Sequence, residues 1–253
     1  MGDSRAAGGG AGCCGHRGLA SGTALHRCGA PAQFYEKVEL DPALARDYPR
    51  VLGVAHNAGN NLATLAAGLR YGADVVEIDV ISAHGQLVAG RDHWPRWLAA
   101  QLFRGPTLVQ AWDHAAAASI VKLDLQQTGR GLLDDPIAFL DPRARSRRVM
   151  ISSRDPGALL YLHRRLPDAT LLFSVAGPDA LHQLQSDPAL QEAIGGVSVF
   201  QGLVDANLVT WVHQHKLLIL AWTVSDSQRL NQLVRLHVDG ITTANLAILH
   251  ALG

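Results

Sequence analysis

The chain has 253 residues, 48% hydrophobic and 17% charged, with 25 glycines, which is the profile of a globular protein with an extensive core. Lys plus Arg and Asp plus Glu number 22 each, so no basic field exists to draw nucleic acid or anionic lipid. No apolar run approaches the roughly 18 residues of a bilayer span, and the opening segment lacks the apolar stretch of a secretory signal. A cytoplasmic protein with no transmembrane segment and no nucleic-acid partner is expected.

Residues 1–33 read as a flexible Gly/Ala/Cys-rich leader, and residues 34–253 as one domain. The leader holds all three cysteines, Cys13, Cys14 and Cys28, so no disulfide framework is expected in the domain. Their spacing with His16 and His26 matches no usual pair of zinc ligands. The glycines Gly10, Gly12 and Gly15 have a GxGxxG spacing, but no strand precedes them, so they carry no nucleotide-binding signal.

Beyond the leader, short apolar, β-branched runs alternate with helical patterns. The runs are "VLGVAH" (51–56), "DVVEIDV" (74–80), "IVKLDLQ" (120–126), "RVMISS" (148–153), "TLLFSV" (170–175), "VSVFQG" (197–202), "LLILAWTV" (217–224) and "VDGITT" (238–243). Most are continuously apolar, as parallel strands covered on both faces should be. The intervening segments start with Asn, Asp, Thr or Pro where helix caps belong, and Gly72 follows a helix end. Eight strand-helix units predict an α/β fold, a (β/α)8 TIM barrel, with an open doubly wound sheet as the alternative.

One run breaks the alternation. "QLVAG" (86–90) follows Val80 too closely for a parallel crossover, which needs about a dozen residues. It is therefore expected to be a hairpin arm turning at His84-Gly85, which brings residues 91–93 back beside the C-terminal end of the "EIDV" strand.

That end carries chemistry. Glu77 and Asp79 are two apart on a strand and share a face, and Lys122, Asp124 and Gln126 do the same on the next barrel strand. Three carboxylates at a barrel mouth suit a hard divalent cation, Mg²⁺ or Ca²⁺. A salt-bridge cluster with Lys122 and Arg91 is the competing reading, and spacing alone leaves both open. His56, ending the first strand at the same mouth, shifts the balance toward a metal site.

The ordered series "VAHNAGNNLATLAAGLRYGADVVEIDVISAHGQLVAGRD", then "VKLDLQ", "LAWTVSD" and "VDGITTANLAIL", resembles the glycerophosphodiester phosphodiesterase family over residues 50–253. This family belongs to the metal-dependent phosphodiesterase barrels that include spider-venom type sphingomyelinase D. The resemblance implies a barrel that hydrolyses glycerophosphodiesters to an alcohol and glycerol 3-phosphate. It implies that Glu77, Asp79 and Asp124 hold the cation, that His56 is one of two acid/base histidines, and that Asn57, Arg91 and Trp222 face a small phosphodiester or lysophospholipid-like substrate. A core role for Trp222 is equally open.

Several positions depart from the family pattern. Asn57 replaces a phosphate-binding arginine, Gly59 stands where a glutamate is expected, and Gln126 replaces a lysine. Arg91 falls on the second histidine, and arginine cannot deprotonate to act as a base. Either His93, two residues on, takes that role, or Arg91 compensates for Asn57 by holding phosphate, or the second acid/base group is lost. The alternatives for the whole protein are a sphingomyelinase D or phospholipase D-like enzyme and a catalytically silent barrel binding a phosphorylated metabolite or a protein partner.

Overall fold

The structure is a computed structural model, and it describes residues 50–83, 85–91, 103 and 105–253. The leader over 1–33, the start of the domain, His84 and His93 lie outside the described residues.

Eight parallel strands close into a barrel. They are β1 (Leu52–Ala55), β2 (Val75–Ala83), β4 (Ile120–Leu125), β5 (Arg148–Ser153), β6 (Ala169–Val175), β7 (Gly196–Phe200), β8 (Leu218–Trp222) and β9 (Gly240–Thr243). They pair in chain order, and β1 pairs with both β9 and β2 to close the ring. The open-sheet alternative is thereby excluded. The remaining strand, β3 (Gln86–Ala89), runs antiparallel to β2 with Val80 opposite Ala89 and Ala83 opposite Gln86. This is the expected hairpin arm, with Gly85 at φ +70° in the turn, a backbone region glycine enters freely.

Strand ends differ from the sequence reading in two instructive places. β2 runs on to Ala83 because the hairpin partner satisfies its backbone groups beyond the barrel rim. β7 stops at Phe200, where Gln201–Leu203 turns as a 3-10 helix whose Gln201 and Val204 carbonyls accept hydrogen bonds from Arg229.

Helix starts follow the caps legible in the chain. In α1 (Leu62–Arg70), Asn61 accepts from the Ala63 and Thr64 N–H groups at 2.8 and 3.3 Å. Thr107 and Gln110 make a reciprocal capping box at the start of α2 (Leu108–His114). Asp155 caps α4 (Pro156–His163), which follows α3 (Arg130–Leu140). Gly72, at φ +87°, closes α1. None of the helices among the described residues is long and apolar enough to cross a membrane.

Side chains of alternate parity divide into two sets. The outward set, such as Val76, Ile78, Val121, Leu123 and Ile151, packs with the helices in the main core. The inward set forms layers, as barrel interiors do. Its bottom layer is apolar: Val54, Val75, Ile120, Met150, Leu172 and Leu220 form a cluster of their own. Above it, the same inward parity gives Glu77, Lys122, Ser152, Ser174, Ser198 and Thr242, all buried. The top layer consists of His56, Asp79, Asp124, Arg154, Phe200 and Trp222. A packed apolar floor thus supports two polar layers at the C-terminal mouth.

Candidate active site

Register places the acids. Glu77 pairs with Lys122 and Asp79 with Asp124 across β2 and β4, so the two aspartates are direct cross-strand neighbours and Glu77 lies one inward position deeper on β2. Glu77, Asp79 and Asp124 each offer an oxygen within 4.8 Å of the others. His56, Glu77, Arg91, Lys122, Asp124, Arg154 and Trp222 share one cleft with Ser174 and Ser198.

Asp79, fully buried, is heavily bonded. Its Oδ2 accepts from Asn60 Nδ2 at 2.6 Å and from Arg91 Nε at 2.8 Å, and its Oδ1 accepts from Gln126 Nε2 at 3.0 Å. Asn57, with its amide oriented to satisfy both ends, donates to the same carboxylate at 3.1 and 3.3 Å. Gln126 also donates to Asp124 Oδ2 at 2.5 Å, and Ser152 Oγ donates to Asp124 Oδ1 at 2.5 Å. The hairpin delivers Arg91 to this spot: the Gly90 N–H donates to the Asp79 carbonyl at 2.8 Å. The salt-bridge reading of the acidic cluster is thus present, since Arg91 pairs with Asp79 and Lys122 with Glu77, and the three carboxylates also converge closely enough that they could hold a metal ion.

Glu77 is the exception in bonding. Lys122 Nζ stands 3.4 Å from its Oε2, within ion-pair range, yet Oε2 is buried with no well-formed hydrogen bond. Orphaned buried oxygens of this kind are uncommon and call for a missing partner. Burial pushes the Glu77 carboxyl up to about 7 against the pull of Lys122, and the charges of Asp124 and Asp79 add to the rise. Burial also raises Asp79, opposed by Asn60 and Arg91. His56 moves the other way: burial, then Arg91 and Lys122, hold its imidazole down at about 4. Burial pulls the Arg91 guanidinium down, but Asp79 outweighs it and holds the arginine above its ordinary value.

Asn60, Ser152, Ser174, Ser198 and Arg154 escaped the sequence reading. Asn60 holds Asp79 twice, its Oδ1 also accepting from the Asp79 N–H at 3.0 Å. Ser152 is the register partner of Asp124 on β5, a pairing that only the tertiary structure shows.

The family model for glycerophosphoryl diester phosphodiesterases matches residues 111–247, more than half of the chain. The chain belongs to that family. Its class of chemistry is the metal-dependent hydrolysis of phosphoric diesters. The matched span begins after β3, so Asp124 and Trp222 lie inside it, whereas His56, Glu77, Asp79 and Arg91 lie before it.

Solved structures agree on the fold. A phosphodiesterase from Oleispira antarctica, in complex with the product sn-glycerol-3-phosphate, superposes with a TM-score of 0.64 at 18% identity, covering 83% of this chain and 98% of that one. A glycerophosphodiester phosphodiesterase from Parabacteroides distasonis gives 0.62 at 19%, covering 81% and 98%. One from Thermotoga maritima gives 0.61 at 16%, covering 81% and 98%. No curated protein matches the sequence.

Proposed function

We propose that this member of the glycerophosphodiester phosphodiesterase family cleaves a small glycerophosphodiester at the cleft between His56 and Trp222, releasing an alcohol and glycerol 3-phosphate. The observation that carries the residue assignment is the convergence of Glu77, Asp79 and Asp124, each with a carboxylate oxygen within 4.8 Å of the others. An all-carboxylate donor set fits a hard cation, Mg²⁺ or Ca²⁺, held by these three residues. Such a cation supplies neutralisation of phosphoryl oxygens and polarisation of the phosphorus centre.

The chain's own groups divide the remaining work. With its pKa at about 4, the His56 imidazole is neutral near pH 7 and accepts a proton from the water whose oxygen bonds to phosphorus as the ester bond to the alcohol breaks. Arg91 cannot return a proton to the leaving oxygen; in this reading His93, two residues further along the sequence, does so. Gln126 and Asn60 hold the aspartates in place, and Trp222 closes one wall against water. The glycerol 3-phosphate named with the Oleispira antarctica structure supports the choice of product.

Hydrolysis of glycerophosphocholine and of bis(p-nitrophenyl) phosphate, followed with Mg²⁺, Ca²⁺ or EDTA, tests this. Turnover that requires a cation and falls about 10²–10⁴-fold in His56→Ala is expected. Activity untouched by EDTA would rule out the cation assignment, and a His93→Ala variant at full rate would remove His93 from the mechanism.

One observation favours a second reading. Asp79 already receives hydrogen bonds from Asn60, Arg91 and Gln126, which a cation must compete with. A barrel that binds a phosphorylated metabolite without cleaving it would show product binding but no turnover with either cation.

A further inference from the structure

Among the described residues, three cationic side chains line the cleft: Arg91, Lys122 and Arg154. Two are committed to carboxylates, Arg91 Nε to Asp79 at 2.8 Å and Lys122 Nζ to Glu77 at 3.4 Å. Arg154 has no hydrogen-bond or ion-pair partner among the described residues. The neutral amides of Asn57 and Gln126, at the positions where the family resemblance calls for cations, donate to Asp79 and Asp124. Among the described residues, the cleft's unspent positive charge therefore sits on β5's side of the mouth.

The placement of Arg154 follows from parity. Met150 and Ser152 point into the barrel, one in the apolar floor and one on Asp124, and Arg154 is the next residue of that set, at the exposed rim. Its backbone is pinned on the C-terminal side, where the Asp155 N–H donates to Ser153 Oγ at 3.1 Å and Asp155 Oδ1 accepts from the Gly157 and Ala158 N–H groups at 2.8 and 3.3 Å. Asp155 is thus occupied in capping α4. The hydroxyl-bearing Ser174 and Ser198 line the same cleft from the two following strands.

We infer that Arg154 is the phosphate-binding residue of this cleft, its guanidinium fork taking two non-bridging oxygens of the substrate's phosphoryl group. A fork with free N–H donors matches a phosphoryl face in a way the paired Arg91 and Lys122 do not. The inference rests on the phosphodiesterase reading for its substrate but not for its binding chemistry.

Calorimetric titration of the full chain with inorganic phosphate and with sn-glycerol 3-phosphate, in EDTA and again in Mg²⁺, tests it directly. Arg154→Ala should weaken phosphate binding roughly tenfold to a hundredfold. Arg154→Lys, which keeps the charge and loses the fork, should fall between. In steady-state hydrolysis the same order should appear in KM. Arg154 is exposed, and thermal melts of both variants verify that they fold. Phosphate affinity equal to wild type in both media, or no phosphate binding by wild type in either, overturns the inference. Arg154-dependent binding without turnover would sink the hydrolytic reading and leave Arg154 standing; turnover with Arg154-independent binding would do the reverse.

Discussion

Glu77 and His56 depart from their ordinary pKa values in opposite directions within one cleft, and that opposition has a measurable signature. In the metal-free folded chain Glu77 holds its proton up to about 7 rather than 4.5. Its contribution to stability is therefore present below 4.5 and is lost as pH rises through 7. His56 titrates at about 4 rather than 6.5, so its contribution is present above 6.5 and is lost as pH falls through 4. The two slopes oppose each other over nearly the same window. In EDTA, Glu77→Gln should leave the histidine slope exposed, with the urea midpoint dropping between pH 6.5 and 4 more steeply than in wild type. His56→Gln should instead lose stability as pH rises from 4.5 to 7, by about 3 kcal/mol if Glu77 acts alone. Parallel pH profiles for the two variants would refute the opposition.

At the scale of elements, the turn from β1 into α1 is where packing leaves least room. A Cβ on Gly59 would lie 2.3 Å from Ile78 Cγ1 and 3.2 Å from the Glu77 carbonyl oxygen, and Ile78 sits between the two acids on β2. Gly59→Ala should cost about 1–3 kcal/mol, read from urea unfolding, and should loosen Asn60 from Asp79. Gly131 is the opposite case: it lies in α3 with nothing within 4 Å of an added Cβ. Gly131→Ala should stabilise by about 0.5–1 kcal/mol. Equal effects at both glycines would mean that backbone entropy, not contact with β2, governs the first turn.

Across the whole barrel, the middle layer places function and stability in conflict. Lys122 and Glu77 are 2% and 3% exposed, and a buried pair of this kind is costly to break and cheap to replace. Above pH 7, where Glu77 is ionised in the wild type, Lys122→Met leaves it as an uncompensated buried acid and should destabilise the metal-free protein by about 3–5 kcal/mol. The double variant Glu77→Leu with Lys122→Met should recover most of that stability in thermal unfolding while losing cation binding. A double variant no more stable than the single would show that the layer holds the barrel together rather than serving the site.

The barrel, its hairpin arm and the acid triad were all legible in the chain, because each depends on short-range rules. Continuous apolar runs mark strands buried on both faces, a link too short for a crossover forces a return arm, and residues two apart on a strand share a face. Asn60 and Arg154 were not legible as site residues, because nothing local distinguishes an asparagine in a turn, or an arginine after a strand, from a solvated one.

Sequence by itself determined the strand count, the inward parity of Glu77, Asp79 and Asp124, the family and its class of chemistry. Only the tertiary structure decided that Asp79 and Asp124 are direct cross-strand partners, that the arm sets Arg91 on Asp79, and that, among the described residues, Arg154 is the cleft cation without a carboxylate. Parity and alternation are properties of one strand, whereas strand register and the pairing of charges are set by neighbours dozens of residues away.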